Sequence, residues 1–153
     1  MNYGRMVHLK QLVHLEQLVH LEQLISTLIY HLGIHCSLRA AKEHRDLILG
    51  SKSQLQLKSE REIEFLEYTE RSSKNYKFGI KCSRMEPKMT RIYANEENSD
   101  RCVVRLYKEY ISHRPDNSED LPFYLTPLPL NQVKSHIWYK EDRDGDSQHR
   151  TSD

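Results

Sequence analysis

At 153 residues, with 37% apolar and 29% charged side chains and a net charge of +1, the chain has the length of one domain and a sparse core. Near-neutral charge supplies no global field toward nucleic acid or membrane, and mean hydropathy is −0.78. No run approaches the ~18 apolar residues of a membrane span, and the N-terminus lacks the order of a signal peptide. Cys36, Cys82 and Cys102 are odd in number and widely spaced, which argues against a disulfide framework and for a reducing compartment.

Residues 8–25 read HLKQLV, HLEQLV, HLEQLI, three copies of a six-residue unit rich in helix formers. A helix turns about 100° per residue, so leucines at every third position drift around it and do not hold one stripe. His8, His14 and His20 cannot converge on one metal for the same reason. The repeat is open to two readings, a coiled-coil or partner helix and an unselected extension of a true helix. Ile25, Leu28, Ile29 and Leu32 predict that the helix continues with one apolar face, and Gly33 is the expected C-cap.

Ser37 is a candidate N-cap for a helix over 38–47, with Leu38, Ala41 and Leu47 as contacts. QLQL at 54–57 and IEFLEYT at 63–69 predict two strands, joined by a hairpin through Lys58–Arg61. Arg101 to Ser112 predicts a helix capped by Ser99 or Asp100, and LPFYL at 121–125 predicts an edge strand between prolines. Residues 141–153 hold no apolar side chain and are expected to be disordered.

Charge is unevenly placed. Glu60 to Glu70 carries five acids against Arg61 alone. The next stretch carries Arg71, Lys74, Lys77, Lys81, Arg84, Lys88 and Arg91 against Glu86 alone. With Tyr76 and Phe78 interleaved, this stretch either tracks a phosphate backbone or is a solvated loop balancing the acidic strand. Neither a Gly-rich nucleotide motif nor paired metal-ligand spacing occurs, and no cofactor or metal is expected; His31, His35 and Cys36 make a poor ligand set, and Asp142–Asp146 mimics only part of a calcium loop.

LRAAKEHRDL at 38–47, FLEYTERSSKN at 65–75, RIYANEENSDRCVVRLYKEYISHRP at 91–115, FYL at 123–125 and IWY at 137–139 follow in a telling order. They resemble the domain at the C-terminal end of MYM-type zinc-finger proteins and their glutamine-rich relatives, thought to descend from the tyrosine recombinase of Crypton transposons. The resemblance covers residues 24–139, and divides the chain into a helical extension at 1–23, a partial recombinase-like domain and a polar tail at 140–153. It implies a mainly helical α+β fold with a small antiparallel sheet, a nuclear location and DNA or nuclear proteins as partners.

By the same resemblance Arg39 looks like a phosphate-binding arginine held by Glu43, with Arg45 as its rival. Arg forks onto two phosphate oxygens and stays charged. A helix-terminal ion pair with Glu43 is the plainer reading of Arg39. Lys74, with Lys77 and Lys81 behind it, looks like the family's hairpin lysine, a general acid; a surface lysine is the plainer alternative. The DNA-contacting set is then Arg39, Arg45, Arg71, Lys74, Lys77, Lys81, Arg84 and Lys88. Neither a His-x-x-Arg box nor a tyrosine beyond it follows residue 115. Without them the covalent step has no nucleophile, so the expectation is a catalytically inactive module. The competing expectations are a fragment truncated before those boxes, without a function of its own, and a module that self-associates through its N-terminal helix.

Overall fold

In a computed structural model, residues 3–38, 41–71, 87–116, 118, 121–133 and 136–141 are described, with backbone alone for 3–18 and Leu130. Among the described residues three α-helices and a three-stranded sheet make up a mixed α+β fold, as expected. The elements are α1 (Tyr3–His35), α2 (Ala41–Arg45), β1 (Leu55–Glu60), β2 (Ile63–Thr69), β3 (Met89–Tyr93) and α3 (Val103–Ser112). Short 3-10 turns occupy Ser99–Arg101 and Leu130–Gln132.

The 33 residues of α1 extend about 50 Å. Leu21, Leu24, Leu28 and Leu32 form its buried stripe, since steps of three and four stay on one side of the helix, and Cys36, just past its end, continues the line. Ile29 falls off that stripe and is exposed. Gly33 does not end the helix. α1 runs on to His35, and the left-handed residue that closes it is Ser37, at φ 56°. The Leu38 amide donates back to the Gly33 carbonyl (3.1 Å), the long bond of a Schellman cap. Ser37 therefore terminates α1 and does not start a helix over 38–47; that helix is only Ala41–Arg45.

β2 is the central strand of an antiparallel β1-β2-β3 sheet. β1 extends to Glu60, so the turn sits later than Lys58–Arg61 suggested: Arg61 and Glu62 carry it, at φ 51° and 67°, between the paired Glu60 and Ile63. Two successive left-handed residues give the twist that matches a hairpin. β3 has no counterpart in the strands expected from sequence. Its inward residue, Ile92, lies opposite Leu66 and joins Leu55 and Tyr68 on the face that meets the core.

On the sheet's other face Glu67 is buried between cations of both neighbouring strands. Lys58 donates to one carboxylate oxygen and Arg91 to the other (3.0 Å). The Arg91 guanidinium also lies over the Phe65 ring, 4.8 Å from its centre.

α3 begins two residues later than expected, and neither Ser99 nor Asp100 caps it. Cys102 holds the N-cap position, and Asp100 pairs with Arg105 (3.1 Å). Val103, Val104, Tyr107 and Tyr110 face inward, the spacing of a helix buried along one side. The segment 121–125 is not an edge strand of the sheet. It makes an isolated bridge to Ile48 and carries Phe123 and Leu125 into the core beside Tyr110 and Tyr139.

Arg114, 3% exposed, sits directly behind this aromatic cluster. Its guanidinium donates to the Phe123 and Pro122 carbonyls, the Ser118 hydroxyl and carbonyl, and the Tyr110 hydroxyl. Among the described residues no carboxylate pairs with it; carbonyl dipoles and hydroxyls hold the charge in the interior.

Candidate nucleic-acid interface

The two ends of the basic stretch come to one place. Arg71 follows β2 and Lys88 precedes β3, and these strands are hydrogen-bonded neighbours, with Glu70 donating its amide to the Lys88 carbonyl (2.9 Å). Lys88 Nζ reaches across to the Ser37 hydroxyl (3.3 Å), in the turn that leads to α2. Arg71 Nη2 donates to the carbonyl of Lys52 (3.2 Å), in the loop before β1. The Tyr68 hydroxyl lies among these groups: burial raises its pKa first, Cys36, Glu70 and Glu43 raise it further, and Arg71 opposes them.

Lys42 and Arg45, three apart on α2, share a helical face that is exposed. Lys88 touches the turn that precedes them, and Arg71, on the neighbouring strand end, touches the loop at Lys52; Glu43, Asp46 and Glu70 interleave with these cations along the chain. Of the residues singled out from sequence, Arg45, Arg71 and Lys88 belong to this edge. Arg39, Lys74, Lys77, Lys81 and Arg84 lie outside the described residues, as does the tail from 142 onward. Sequence reading takes Ser37 for an N-cap, because a left-handed backbone gives no signal in a residue that is not glycine, and it misses Lys42 and Lys52, the second of which is placed by a tertiary hydrogen bond.

His44 is the side chain that α2 turns toward the rest of the domain. It is the least exposed residue of α2, and its Nδ1 shares a hydrogen bond with the Tyr124 hydroxyl (3.1 Å). On its other side the imidazole lies over Gly33 of α1, where a Cβ would be 3.4 Å from Nε2. Burial lowers the His44 pKa, and the neighbouring Glu43 opposes the shift.

Two buried tyrosines, Tyr124 beside His44 and Tyr139 in the aromatic cluster, have phenols that burial holds in the neutral form. Tyr139 is 1% exposed, and burial, with smaller effects from Tyr110 and Glu109, pushes its phenol far up. Tyr124 is raised chiefly by burial as well. Burial likewise pushes the Cys36 thiol up to about 12, against a weaker pull from Lys88. Among the described residues no three His, Cys, Asp or Glu side chains gather as a metal site. No described helix is long and apolar enough to cross a membrane.

A long helix, a second helix stacked on it and a small antiparallel sheet, with cations gathered where the first helix turns toward the sheet, define the class: an α+β domain with a partly basic edge. The chain belongs to the family described as Domain of unknown function (DUF3504), which it matches over residues 18–150. No curated protein and no solved structure matches it.

Proposed function

We propose that this domain binds the phosphate backbone of duplex DNA along its basic edge, as a nuclear, recombinase-like module of Crypton descent that does not cut the strand. The contact between Lys88 and Ser37 carries the reading: it ties the base of the cation-rich stretch to the turn that leads to Lys42 and Arg45. Cations from separate parts of the chain thereby share one edge, which suits a backbone that presents charge at regular intervals. Lack of cleavage is supported by the absence of a His-x-x-Arg box and by the burial of Tyr139.

The test is fluorescence anisotropy with a labelled mixed-sequence duplex, over about 50 to 200 mM salt. Affinity should fall steeply across that range, and charge reversal at Arg71 and Lys88 together should flatten the dependence. Salt-independent affinity rejects the reading. Incubation with supercoiled DNA should leave neither nicks nor a covalent protein–DNA adduct.

A second reading, self-association, rests on α1. Val19, Tyr30 and Ile34 are exposed on the side of the helix away from its buried stripe, Tyr30 at 65%. Sedimentation of the wild type against a Tyr30→Glu/Ile34→Glu variant tests it; a monomeric wild type removes this reading.

A further inference from the structure

We propose that His44 is a positioning residue: seated between Gly33 and Tyr124, it sets the direction in which α2 presents Lys42 and Arg45 to DNA. The inference rests on the DNA-binding reading for its functional consequence, and on the geometry of α2 for its structural one.

α2 is five residues long, too short to be stable on its own. None of its five residues is buried; the core residues Leu38 and Leu47 anchor the chain on either side, and within the helix the inward contact is that of His44. At about 100° per residue, His44 points well away from the direction shared by Lys42 and Arg45. An imidazole turned inward therefore turns both cations outward. Its two neighbours come from distant elements: Gly33 from the middle of the last turns of α1, and Tyr124 from the segment that crosses the core. The Gly33 position supplies the space. A methyl there meets Nε2 at ordinary contact distance, whereas a longer side chain occupies the imidazole's seat. Burial also favours the neutral imidazole at neutral pH, so His44 acts through shape and one hydrogen bond and leaves the outward charge to its neighbours.

The test uses the full chain with Gly33→Leu, Gly33→Ala, His44→Ala and His44→Gln, read by two measurements. The first is the slope of log affinity against log salt for the labelled duplex. Each phosphate contact contributes about one to that slope, so Gly33→Leu and His44→Ala should lower it by about two. Leucine is a good helix former, so α1 itself is not weakened by the change. Gly33→Ala should keep the slope, and His44→Gln should recover part of it through a bond to Tyr124. The second measurement is hydrogen exchange in the absence of DNA. The amides of Asp46 and Leu47, which donate to the Lys42 and His44 carbonyls, should exchange faster in Gly33→Leu and His44→Ala, with α3 unchanged.

Wild-type slope and wild-type exchange in both disruptive variants overturn the proposal. A wild type without salt-dependent DNA binding rejects the functional reading alone. Exchange at Asp46 and Leu47 then decides the role of His44: faster exchange upholds it, and unchanged exchange overturns it.

Discussion

Tyr110 and Arg114, one helical turn apart, converge on a single acceptor: the phenol donates to the Phe123 carbonyl (2.6 Å) and the guanidinium donates to the same oxygen. The Tyr110 oxygen in turn accepts the Leu125 amide (3.0 Å). This knot ties the end of α3 to the 121–125 segment through polar groups that water does not reach.

Replacing Arg114 with Leu should destabilise the domain by about 3 kcal/mol or more, because each orphaned buried acceptor costs roughly 1–3 kcal/mol. Tyr110→Phe strands the Leu125 amide and should cost about 1–3 kcal/mol by the same reasoning. Since the two side chains share an acceptor, the double variant should lose less than the sum. Urea unfolding of the four proteins measures the cycle.

Among the described residues, two turns use left-handed backbone without glycine. Ser37→Gly relieves a strain of roughly 1–2 kcal/mol, partly offset by the greater freedom of the unfolded chain, so a net gain of about 0.5–1 kcal/mol is expected. Thermal unfolding tests it, and a lower melting temperature would contradict the assignment of Ser37 as the left-handed cap.

The Arg61–Glu62 turn has the same weakness twice over. Arg61→Asn combined with Glu62→Gly supplies the residues that such a two-residue turn favours, and should stabilise the hairpin by about 1 kcal/mol or more. Wild-type stability in that variant would show that the turn is not of this type.

Acid should weaken the fold in two stages. Burial lowers the pKa of His44 and of His113 below the ordinary 6.5, so the unfolded chain takes up their protons first. Stability is therefore level above about pH 7 and falls as pH drops through 6.5 toward their lower folded values. Glu67 acts lower down. Hydrogen bonds from Lys58 first, and then from Arg91, outweigh its burial and hold its carboxyl below the ordinary 4.5. Its contribution is complete above 4.5 and is lost as pH falls through the folded value. Urea midpoints between pH 8 and pH 3 follow both stages, and His113→Gln should shrink the first and leave the second.

Much of the architecture was legible where burial repeats along one element. Leu28 and Leu32 mark α1, Val103, Val104 and Tyr107 mark α3, and IEFLEYT marks β2, because a period of three to four or an apolar β-rich run reports a buried face directly; Leu21 and Leu24, read as part of a drifting repeat, join the α1 stripe in the structure. β3 was not legible, since MTRIY has a single buried residue and its pairing to β2 is a long-range event. Of the candidate site, the chain order pointed to Arg45, Arg71 and Lys88 but not to Lys42 or Lys52, and not to any arrangement.

The near-zero net charge shows the same division. Sequence alone determined that the charge is segregated, acids over 60–70 and bases over 71–91, and that a thin apolar set must serve one core. Tertiary structure alone decided that Lys88 stands beside the α1–α2 turn and Arg71 against the loop at Lys52, that Gly33 is a seat for His44 and not a helix stop, and that Arg114 is solvated by the interior. The physical reason is separation along the chain. Periodicity encodes which side of an element leaves water, whereas a hydrogen bond between residues fifty or eighty positions apart exists only once the core has brought their elements together.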